Sequence, residues 1–192
     1  NGDSTTGITR TDTSIYPHPE PTNANFNNVK YVSHWPSNMY FNIWLVRHIS
    51  GGALGYAQYP GTAFTYGGPW ETYGPTIRSY EWGTIGSSTS DGRVGTHEIG
   101  HCLGLYHTFL SFSTGCGAEC DTTGDQVCDT PPTTPTFDCD TSNLCSNDLL
   151  GPSAFTMDMP DQLENYMSYN DCQSLFTQGQ KDIMRGFLTT LD

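Results

Sequence analysis

The chain has 192 residues, seven cysteines and a formal net charge of −13. Its length supports one domain with a substantial core, so we predict a single domain over residues 1–192. The acidic balance argues against a nucleic-acid partner, because phosphate binding needs a basic surface, and no run approaches the roughly 20 apolar residues of a membrane span. The cysteines favour an oxidising, extracellular compartment.

The first part of the chain carries strand signals. Residues 1 to about 28 are rich in Thr, Asn, Pro and Gly and predict an irregular arm. Met39–Val46 contains large apolar and aromatic residues without a breaker, which predicts a strand at the centre of a sheet. Leu54–Gln58 and Thr76–Tyr80 predict two shorter strands. With the helix that follows, these strands favour an α/β fold.

That helix should begin near residues 92–94 and end at Leu103, and it opens the sequence HEIGHCLGLYH. This stretch has the form H-E-x-x-H-x-x-G-x-x-H, a zinc-protease signature. His97 and His101 lie about one turn apart, so both imidazoles can point at one metal ion. Gly104 suits the left-handed conformation that ends a helix, and the chain can then bring His107 up as a third ligand. Three nitrogen ligands leave the fourth zinc position open, as in catalytic sites.

Glu98 lies beside the two histidines on a neighbouring helix face. It is poorly placed to be a ligand, but it can reach a zinc-bound water, whose pKa the metal lowers towards ~7. Glu98 would take a proton from that water as it attacks a peptide carbonyl, and then pass the proton to the leaving amine. The donor that stabilises the oxyanion should come from elsewhere in the chain.

The region from Ser111 to Pro160 is dominated by Cys, Asp, Thr, Gly and Pro and has no helical or strand periodicity. So long an irregular stretch needs disulfides or metal sites to order it. Between Arg93 and Lys181 there is no lysine or arginine. This pattern indicates either a solvated acidic surface or a region where calcium and basic substrate groups supply the positive charge.

The remaining elements lie near the end of the chain. Met167 stands in the segment ENYMSYN and fits the tight methionine turn that this class of protease places beneath its zinc. Tyr169 could bring its phenol close to the metal and donate to the developing oxyanion; the alternative is a tyrosine that only packs under the site. Thr177-x-x-Gln180 has capping-box form and predicts an amphipathic helix packed on the lower half of the molecule. Its apolar residues recur at helical spacing, namely Ile183, Met184, Phe187, Leu188 and Leu191.

Taken together, four stretches closely resemble the pappalysin family of metzincins, nearest to ulilysin-like secreted microbial members. They are HEIGHCLGLYHTF at residues 97–109, GDQVCDTP at 124–131, NYMSY at 165–169 and Phe176-Thr177. The resemblance implies a metzincin fold, with an upper subdomain at about residues 1–104 and a disulfide-rich lower subdomain at about 105–192. It also implies a secreted metalloendopeptidase acting on proteins or peptides, inhibited by an N-terminal prosegment that is later removed. We expect a monomer.

The resemblance carries the family's functional roles onto matching positions. The zinc ligands become His97, His101 and His107, the general base Glu98, the methionine turn Met167, and the nearby tyrosine Tyr169. The family also tends to bind calcium in the lower subdomain. The matching oxygen-rich residues here are Asp125, Val127 through its carbonyl, Asp129 and Thr130, which suit a hard cation.

Relatives resembling this chain have two bridges in the lower subdomain. Mapped onto this sequence, they imply Cys139–Cys172 and a bridge from Cys145 to either Cys116 or Cys120. A third bridge would join Cys128 to whichever of those two is left over. Cys102, inside the active helix, is the candidate for the unpaired thiol, and we expect it to act as a small buried hydrophobe rather than as a catalytic group.

Substrate preference in this class depends on the segment after the methionine turn. Asp171 lies there, and a carboxylate at the base of the pocket would favour cleavage before Arg, then Lys; the alternative is that Asp171 caps a turn. A different class of function also fits the composition: a non-catalytic binding module, stabilised by zinc and calcium, on a protease scaffold. The presence of both Glu98 and Tyr169 argues against that alternative. Another branch of the metzincins is a further possibility, against which the Cys- and Asp-rich insertion speaks.

Overall fold

The computed structural model describes residues 7–14, 27–60, 70–83, 91–109, 116, 119–140 and 143–189. Within these ranges the helices are α1 (Asn28–Val32), α2 (Arg93–Cys102) and α3 (Gln178–Thr189). The strands are β1 (Trp44–Val46), β2 (Gly55–Tyr56) and β3 (Thr76–Arg78). The predicted mixture of α and β structure is confirmed. Most of the predicted N-terminal arm, residues 1–6 and 15–26, lies outside the described residues.

The three strands form one sheet in the order β1-β3-β2. β1 runs parallel to β3, with Leu45 opposite Ile77, and β2 runs antiparallel to β3, with Gly55 also opposite Ile77. Ile77 is fully buried, so the central strand is β3. The predicted positions of β2 and β3 are confirmed, although each strand is shorter than its sequence pattern.

The prediction for Met39–Val46 is wrong in extent and in position. Only Trp44–Val46 forms a strand, and in the described sheet it lies at an edge. Met39 is 71% exposed. The side chain of Asn42 accepts a hydrogen bond from the backbone N–H of Trp35 and donates one to its carbonyl, at 2.8 and 2.9 Å. These bonds fold residues 35–42 into a loop, an effect that the apolar pattern does not encode.

Helix α2 begins where predicted, ends at Cys102, one residue before the predicted Leu103, and lies over β3. Its close packing on Trp82, which follows β3 in the chain, depends on Gly95, where a Cβ atom would lie 2.8 Å from the Trp82 ring. The helix ends in a Schellman motif: Leu105 N–H donates to Gly100 O and Gly104 N–H to His101 O, both at 3.0 Å. Gly104 has φ = 94°. The predicted left-handed glycine stop is therefore confirmed, and it redirects the chain below the helix.

Between Leu105 and Thr177 the described residues contain no helix and only isolated β-bridges. Three disulfides hold this region: Cys116–Cys145, Cys120–Cys128 and Cys139–Cys172. Cys145 is thus joined to Cys116 rather than to Cys120, and Cys102 is a buried free thiol. Loop closure of this kind stabilises a folded chain by about 2–4 kcal/mol per bridge. Covalent links therefore replace regular hydrogen-bond ladders here.

Helix α3 begins with the predicted capping box. Thr177 N–H donates to Gln180 Oε1 at 3.0 Å, and Gln180 N–H donates to Thr177 Oγ1 at 3.1 Å. The expected burial of its apolar face is wrong, because Ile183 is 38% and Leu188 51% exposed. The Phe187 ring lies 6.4 Å from Tyr73, which precedes α2 in the chain. At its start the helix contacts Asp129, which follows α2 in the chain; Leu191 lies outside the described residues. No helix in the described ranges is long and apolar enough to cross a bilayer.

Candidate metal centre and active site

The three histidines of the signature converge on one point. Their Nε2 atoms lie 3.1 Å apart for His97 and His101, 3.0 Å for His101 and His107, and 3.2 Å for His107 and His97. Tetrahedral zinc with Zn–N bonds of about 2.05 Å requires N···N separations of about 3.3 Å. Within the described residues, these form the only group of three or more histidine, cysteine or carboxylate ligands close enough to share a metal ion.

The opposite ring nitrogens fix the orientation of two of these imidazoles. His97 Nδ1 lies 2.6 Å from Tyr166 O, and His101 Nδ1 lies 2.7 Å from Leu105 O. A carbonyl can only accept, so Nδ1 carries the proton in both rings and the Nε2 lone pairs face the centre. Burial lowers the pKa of His97, lowers that of His101 to about 3 and that of His107 to about 2. Three neutral imidazoles with converging lone pairs are the donor set that zinc prefers.

Glu98 is held beside this centre by close packing. Glu98 is 7% exposed, and a Cβ atom added to Gly55 on β2 would lie 2.8 Å from Glu98 Cγ. The absence of a side chain at Gly55 therefore makes room for the carboxyl group. Burial raises the pKa of Glu98 to about 8, and the positive charge of Lys30 acts in the opposite direction. The group is thus a base with a high proton affinity, before any cation is added.

Aromatic rings line both sides of the three imidazoles. On one side, the Tyr169 ring lies 4.6 Å from His107 and 5.6 Å from His97, and Phe109 stacks on His107 at 4.7 Å. On the other side, the Tyr59 ring lies 5.0 Å from His101. Burial raises the pKa of Tyr169, and the charge of Glu98 raises it further. Tyr169 therefore keeps its phenolic proton at neutral pH and can act as a donor.

Met167 is fully buried beneath α2. Its turn is closed by Ser168 N–H donating to Asn165 O at 3.0 Å, and by Met167 N–H donating to Asn165 Oδ1 at 2.9 Å. Thr108 N–H donates to Met167 O at 3.2 Å. The last bond joins the turn to the residue that follows His107, so the position of the third histidine depends on this turn.

A methyl group at Gly100 is expected to disturb this support. A Cβ atom there would lie 2.6 Å from Met167 Sδ, so Gly100→Ala should lower the free energy of unfolding by about 1–3 kcal/mol through overpacking. It should also loosen zinc binding, because Met167 would have to move from beneath His97 and His101. Thermal unfolding and zinc titration measure the two effects. Gly186→Ala, at a glycine of α3 with open space around it, is the matched control; equal stability of the two variants would contradict the expectation.

Gln180 joins the methionine turn to two other parts of the molecule. Its side chain is fully buried. Oε1 accepts from Asn165 Nδ2 at 2.9 Å, and Nε2 donates to Asn165 Oδ1 at 3.1 Å and to Asp125 Oδ2 at 3.4 Å. The same residue caps α3. One amide therefore connects α3, the turn beneath the three histidines and the loop that carries Asp125.

The predicted calcium-binding residues have two different sets of contacts. Thr130 Oγ1 lies 2.8 Å from each carboxylate oxygen of Asp125 and 2.5 Å from Val127 O. A hydroxyl has one proton and cannot satisfy three acceptors at once, so a cation among these oxygens would relieve their repulsion. Burial raises the pKa of Asp125 to about 7. Asp129 instead accepts a hydrogen bond from Gly179 N–H at the start of α3, at 2.8 Å.

Asp171 is exposed, in the segment that follows the methionine turn. The buried neighbour Asn170 caps the local turn, since its Oδ1 accepts from Cys172 N–H at 3.1 Å. The Cys139–Cys172 bridge then fixes the end of this segment. The Asp171 carboxylate is therefore presented at the surface rather than at the bottom of an enclosed pocket.

Three residues at the site were missed by sequence reasoning: Gly55, Tyr59 and Lys30. A glycine inside a strand pattern can mark a close backbone approach, so Gly55 carried a usable signal. For Tyr59 the sequence carried no such signal beyond its position after β2. Lys30 is buried, with Nζ donating to Thr72 O at 2.9 Å and Gly74 O at 2.6 Å and lying 5.0 Å from the Trp44 ring centre. Sequence rules place lysine at the surface, so its burial could not be expected.

Comparison with known proteins adds independent findings. Residues 23–189 match the family Peptidase M43, described as pregnancy-associated plasma protein-A. An extracellular metalloprotease of Colletotrichum graminicola is 36% identical over 154 residues, which is 76% of this chain and 48% of that protein. An extracellular metalloprotease of Verticillium alfalfae is 33% identical over 156 residues, 78% of this chain and 49% of that protein. The chain thus spans about half the length of these relatives.

Solved structures give a similar result. Mature mirolysin of Tannerella forsythia, in complex with a cleaved peptide, superposes with a TM-score of 0.70 at 31% identity, covering 96% of this chain and 65% of that chain. A promirolysin mutant from the same organism also gives a TM-score of 0.70, at 29% identity, with 96% and 57% covered. The fold expected from the sequence is therefore confirmed.

Proposed function

Because the chain belongs to the pappalysin family, Peptidase M43, we propose that it is a secreted zinc metalloendopeptidase. Three facing Nε2 atoms, with Glu98 packed on the helix that carries His97 and His101, support this proposal. Proteolysis of casein by the purified chain, with Glu98→Ala and a zinc chelator as controls, is the direct test. A chain that holds zinc and digests no protein would contradict it.

Each residue of the site has its own role in the proposed reaction. His97, His101 and His107 hold the zinc ion, which when bound supplies Lewis-acid polarisation and a water of lowered pKa. Glu98 takes the proton that the attacking water releases and delivers it to the leaving amine. Tyr169, whose ring lies 4.6 Å from that of His107, donates a hydrogen bond to the oxyanion as charge develops there. Met167 fills the space beneath the ligands and keeps His107 in register.

The domain organisation and processing of the protein are part of the proposal. We divide the chain at about residue 104 into the subdomains above and below the cleft. The Colletotrichum and Verticillium relatives are named extracellular, and the seven cysteines suit that compartment. One solved relative is a promirolysin, so we infer synthesis with an inhibitory prosegment. The active species would be a monomer, which light scattering of the purified chain checks.

Calcium is proposed to bind the loop that carries Asp125, Val127 and Thr130, with Asp129 fixing the loop to α3. Removing calcium on a chelating resin, with zinc resupplied, is expected to lower the melting temperature by several degrees, because the buried Asp125 charge loses its counter-ion. Scanning calorimetry with and without calcium measures the shift. In Asp125→Asn the melting temperature should no longer respond to calcium, and an unchanged melting temperature in the wild-type chain would count against the site.

A preference for Arg, then Lys, just after the scissile bond is proposed from the charge of this region. The stretch between Arg93 and Lys181 has no lysine or arginine, and Asp171 is exposed in the segment next to Met167. Asp171→Asn is expected to reduce the preference for Arg over Leu at that position by about twofold to fivefold, the size of one exposed charge contact. A peptide library profiled by mass spectrometry measures it, with the exposed Asp140→Asn as control. An apolar preference in the wild-type chain would exclude the proposal.

The competing proposal is a non-catalytic zinc- and calcium-stabilised module that binds peptides. It predicts that the chain retains a peptide without cleaving it and that Glu98→Gln leaves peptide affinity unchanged. The close fit of Glu98 against Gly55 favours the enzyme, because a binding module has no need of a buried base. Peptide hydrolysis followed by chromatography separates the two.

A further inference from the structure

The segment that follows the methionine turn carries a buried amide that the proposed mechanism does not use. Gln173 is 8% exposed. Its Nε2 atom donates to Tyr166 O at 3.2 Å and also to Ser168 O. Both partners are carbonyl oxygens, which can only accept, so the NH₂ end of the side chain must face them. The Gln173 side chain thus joins two carbonyl groups of the turn that carries Met167.

One of these carbonyl groups also orients a proposed zinc ligand. Tyr166 O accepts from His97 Nδ1 at 2.6 Å, and this bond directs the His97 Nε2 lone pair to the metal centre. A carbonyl oxygen has two lone pairs, so Tyr166 O can accept from His97 and from Gln173 together. The direction of the His97 ring is therefore linked, through one carbonyl oxygen, to the amide of Gln173.

The backbone of Gln173 is bound to the start of helix α2. Arg93, the first residue of that helix, donates from Nε to Gln173 O at 3.2 Å. Arg93 and His97 are four residues apart, so they lie on one face of the helix about one turn from each other. The helix face thus contacts the chain twice, at Tyr166 and at Gln173, and the Gln173 amide connects these two points.

Backbone contacts close the loop that contains the methionine turn. Tyr166 N–H donates to Leu175 O at 2.9 Å, and Asn165 and Leu175 form a parallel β-bridge. Between these contacts the chain passes through the methionine turn and Tyr169. Because Gln173 donates across this loop to residues 166 and 168, it restricts the movement of a segment that must stay in register with the three histidines.

We propose that Gln173 is a positioning residue of the metal centre and that Arg93 anchors it to the active helix. The inference rests on the proposed zinc function, and Gln173 itself contacts neither metal nor substrate. Its amide holds Tyr166 O in the direction that His97 requires, so the imidazole is already oriented when the ion binds. Loss of this amide should therefore weaken metal binding in a chain that remains folded.

Zinc affinity and the visible absorption of the cobalt-substituted protein test the inference. The full chain carries Glu98→Ala to stop self-cleavage, and zinc affinity is measured by competition with a chromophoric chelator. All variants are compared at a temperature where circular dichroism shows the metal-free chain to be folded. This condition separates an effect on the metal centre from an effect on folding.

Gln173→Met keeps the length of the side chain and removes both donated hydrogen bonds. We expect it to bind zinc about threefold to tenfold more weakly, which is less than the roughly 10–100-fold loss that follows removal of a ligand's direct partner. The cobalt absorption bands should change in position or intensity, because His97 would no longer be held in one orientation.

Gln178→Met is the matched control. Gln178 is exposed at the start of α3, where its side chain contacts Asp182 and Lys181 of the same helix. This substitution should leave the zinc affinity and the cobalt spectrum at their wild-type values. Arg93→Met should act in the same direction as Gln173→Met with a smaller loss of affinity, about twofold, because it removes one hydrogen bond to the backbone and leaves the amide in place.

The outcomes separate this inference from the protease proposal. Wild-type zinc affinity and an unchanged cobalt spectrum in Gln173→Met would overturn the positioning role, even if that variant melts at a lower temperature. If Gln173→Met fails to fold, Arg93→Met decides the question, since Arg93 is partly exposed and its replacement leaves the core intact. A wild-type chain that binds no zinc overturns both proposals. One that binds zinc without digesting casein ends the protease proposal and leaves the role of Gln173 in place.

Discussion

Replacing Glu98 with Gln is expected to lower kcat/KM for a peptide substrate by about 10²–10⁴-fold, the contribution typical of a general acid–base group. Gln keeps the shape that fits against Gly55 but cannot take a proton. Zinc content should stay at the wild-type level, because Glu98 is not a ligand. Initial rates on a fluorogenic peptide and metal analysis of the same preparations measure both quantities.

The thermal stability of Glu98→Gln, unlike its activity, should not fall. Burial raises the pKa of Glu98 to about 8, so at neutral pH the zinc-free protein must protonate on folding a carboxyl group that is ionised in the unfolded chain, which costs free energy. The Glu98→Gln variant should therefore unfold at the same or a higher temperature. The exposed Glu164→Gln is the charge-matched control for Glu98→Gln, and near-normal turnover in Glu98→Gln would end the assignment of the base.

Tyr169→Phe should lower kcat by about 10²–10³-fold with little change in KM, since it removes one oxyanion donor.

Removal of zinc is expected to make the protein unfold in mildly acidic solution. Burial holds the pKa of His97 below its usual value, that of His101 at about 3 and that of His107 at about 2. In the unfolded chain each histidine takes up a proton below about pH 6.5. The unfolded state then binds more protons than the folded state, so stability falls as the pH falls through this range. Three such groups together cost up to about 4 kcal/mol per pH unit.

A domain is stable by only about 5–15 kcal/mol, so the zinc-free protein should unfold well before the zinc-bound form, in which the metal competes with protons for the same nitrogens. Acid titration followed by circular dichroism, in the Glu98→Gln background, measures the two midpoints. His107→Asn should remove one of the titrating groups and reduce the steepness of the zinc-free transition. The exposed His34→Asn is the control. Coincident midpoints with and without zinc would contradict the expected linkage.

The features that the sequence predicted well are those encoded within a few residues. Helix α2, its stop at Gly104 and the capping box of α3 each depend on hydrogen bonds between near neighbours in the chain. The order of the signature also determines which residues can reach a common metal ion, because helix geometry is nearly invariant. Such features follow from spacing and residue type alone.

The predictions that were wrong concern features that depend on residues far apart in the sequence. Met39–Val46 has the composition of a central strand, but Asn42 bonds to the backbone of Trp35, and the strand begins only at Trp44. The apolar spacing of α3 predicts a buried face, yet the surface opposite it covers only part of that face. The burial of Lys30 among two carbonyls and an aromatic ring involves residues far apart in sequence. No local pattern contains these contacts.

The hydrogen bonds of Gln180 impose an order on the folding of the newly synthesised chain. On the ribosome the histidines, Glu98 and the methionine turn emerge before Gln180 does. A nascent chain can therefore gather metal ligands while the floor below them still lacks the amide that ties it to α3 and to the Asp125 loop. The mature geometry of the cleft is completed only once translation has passed this glutamine.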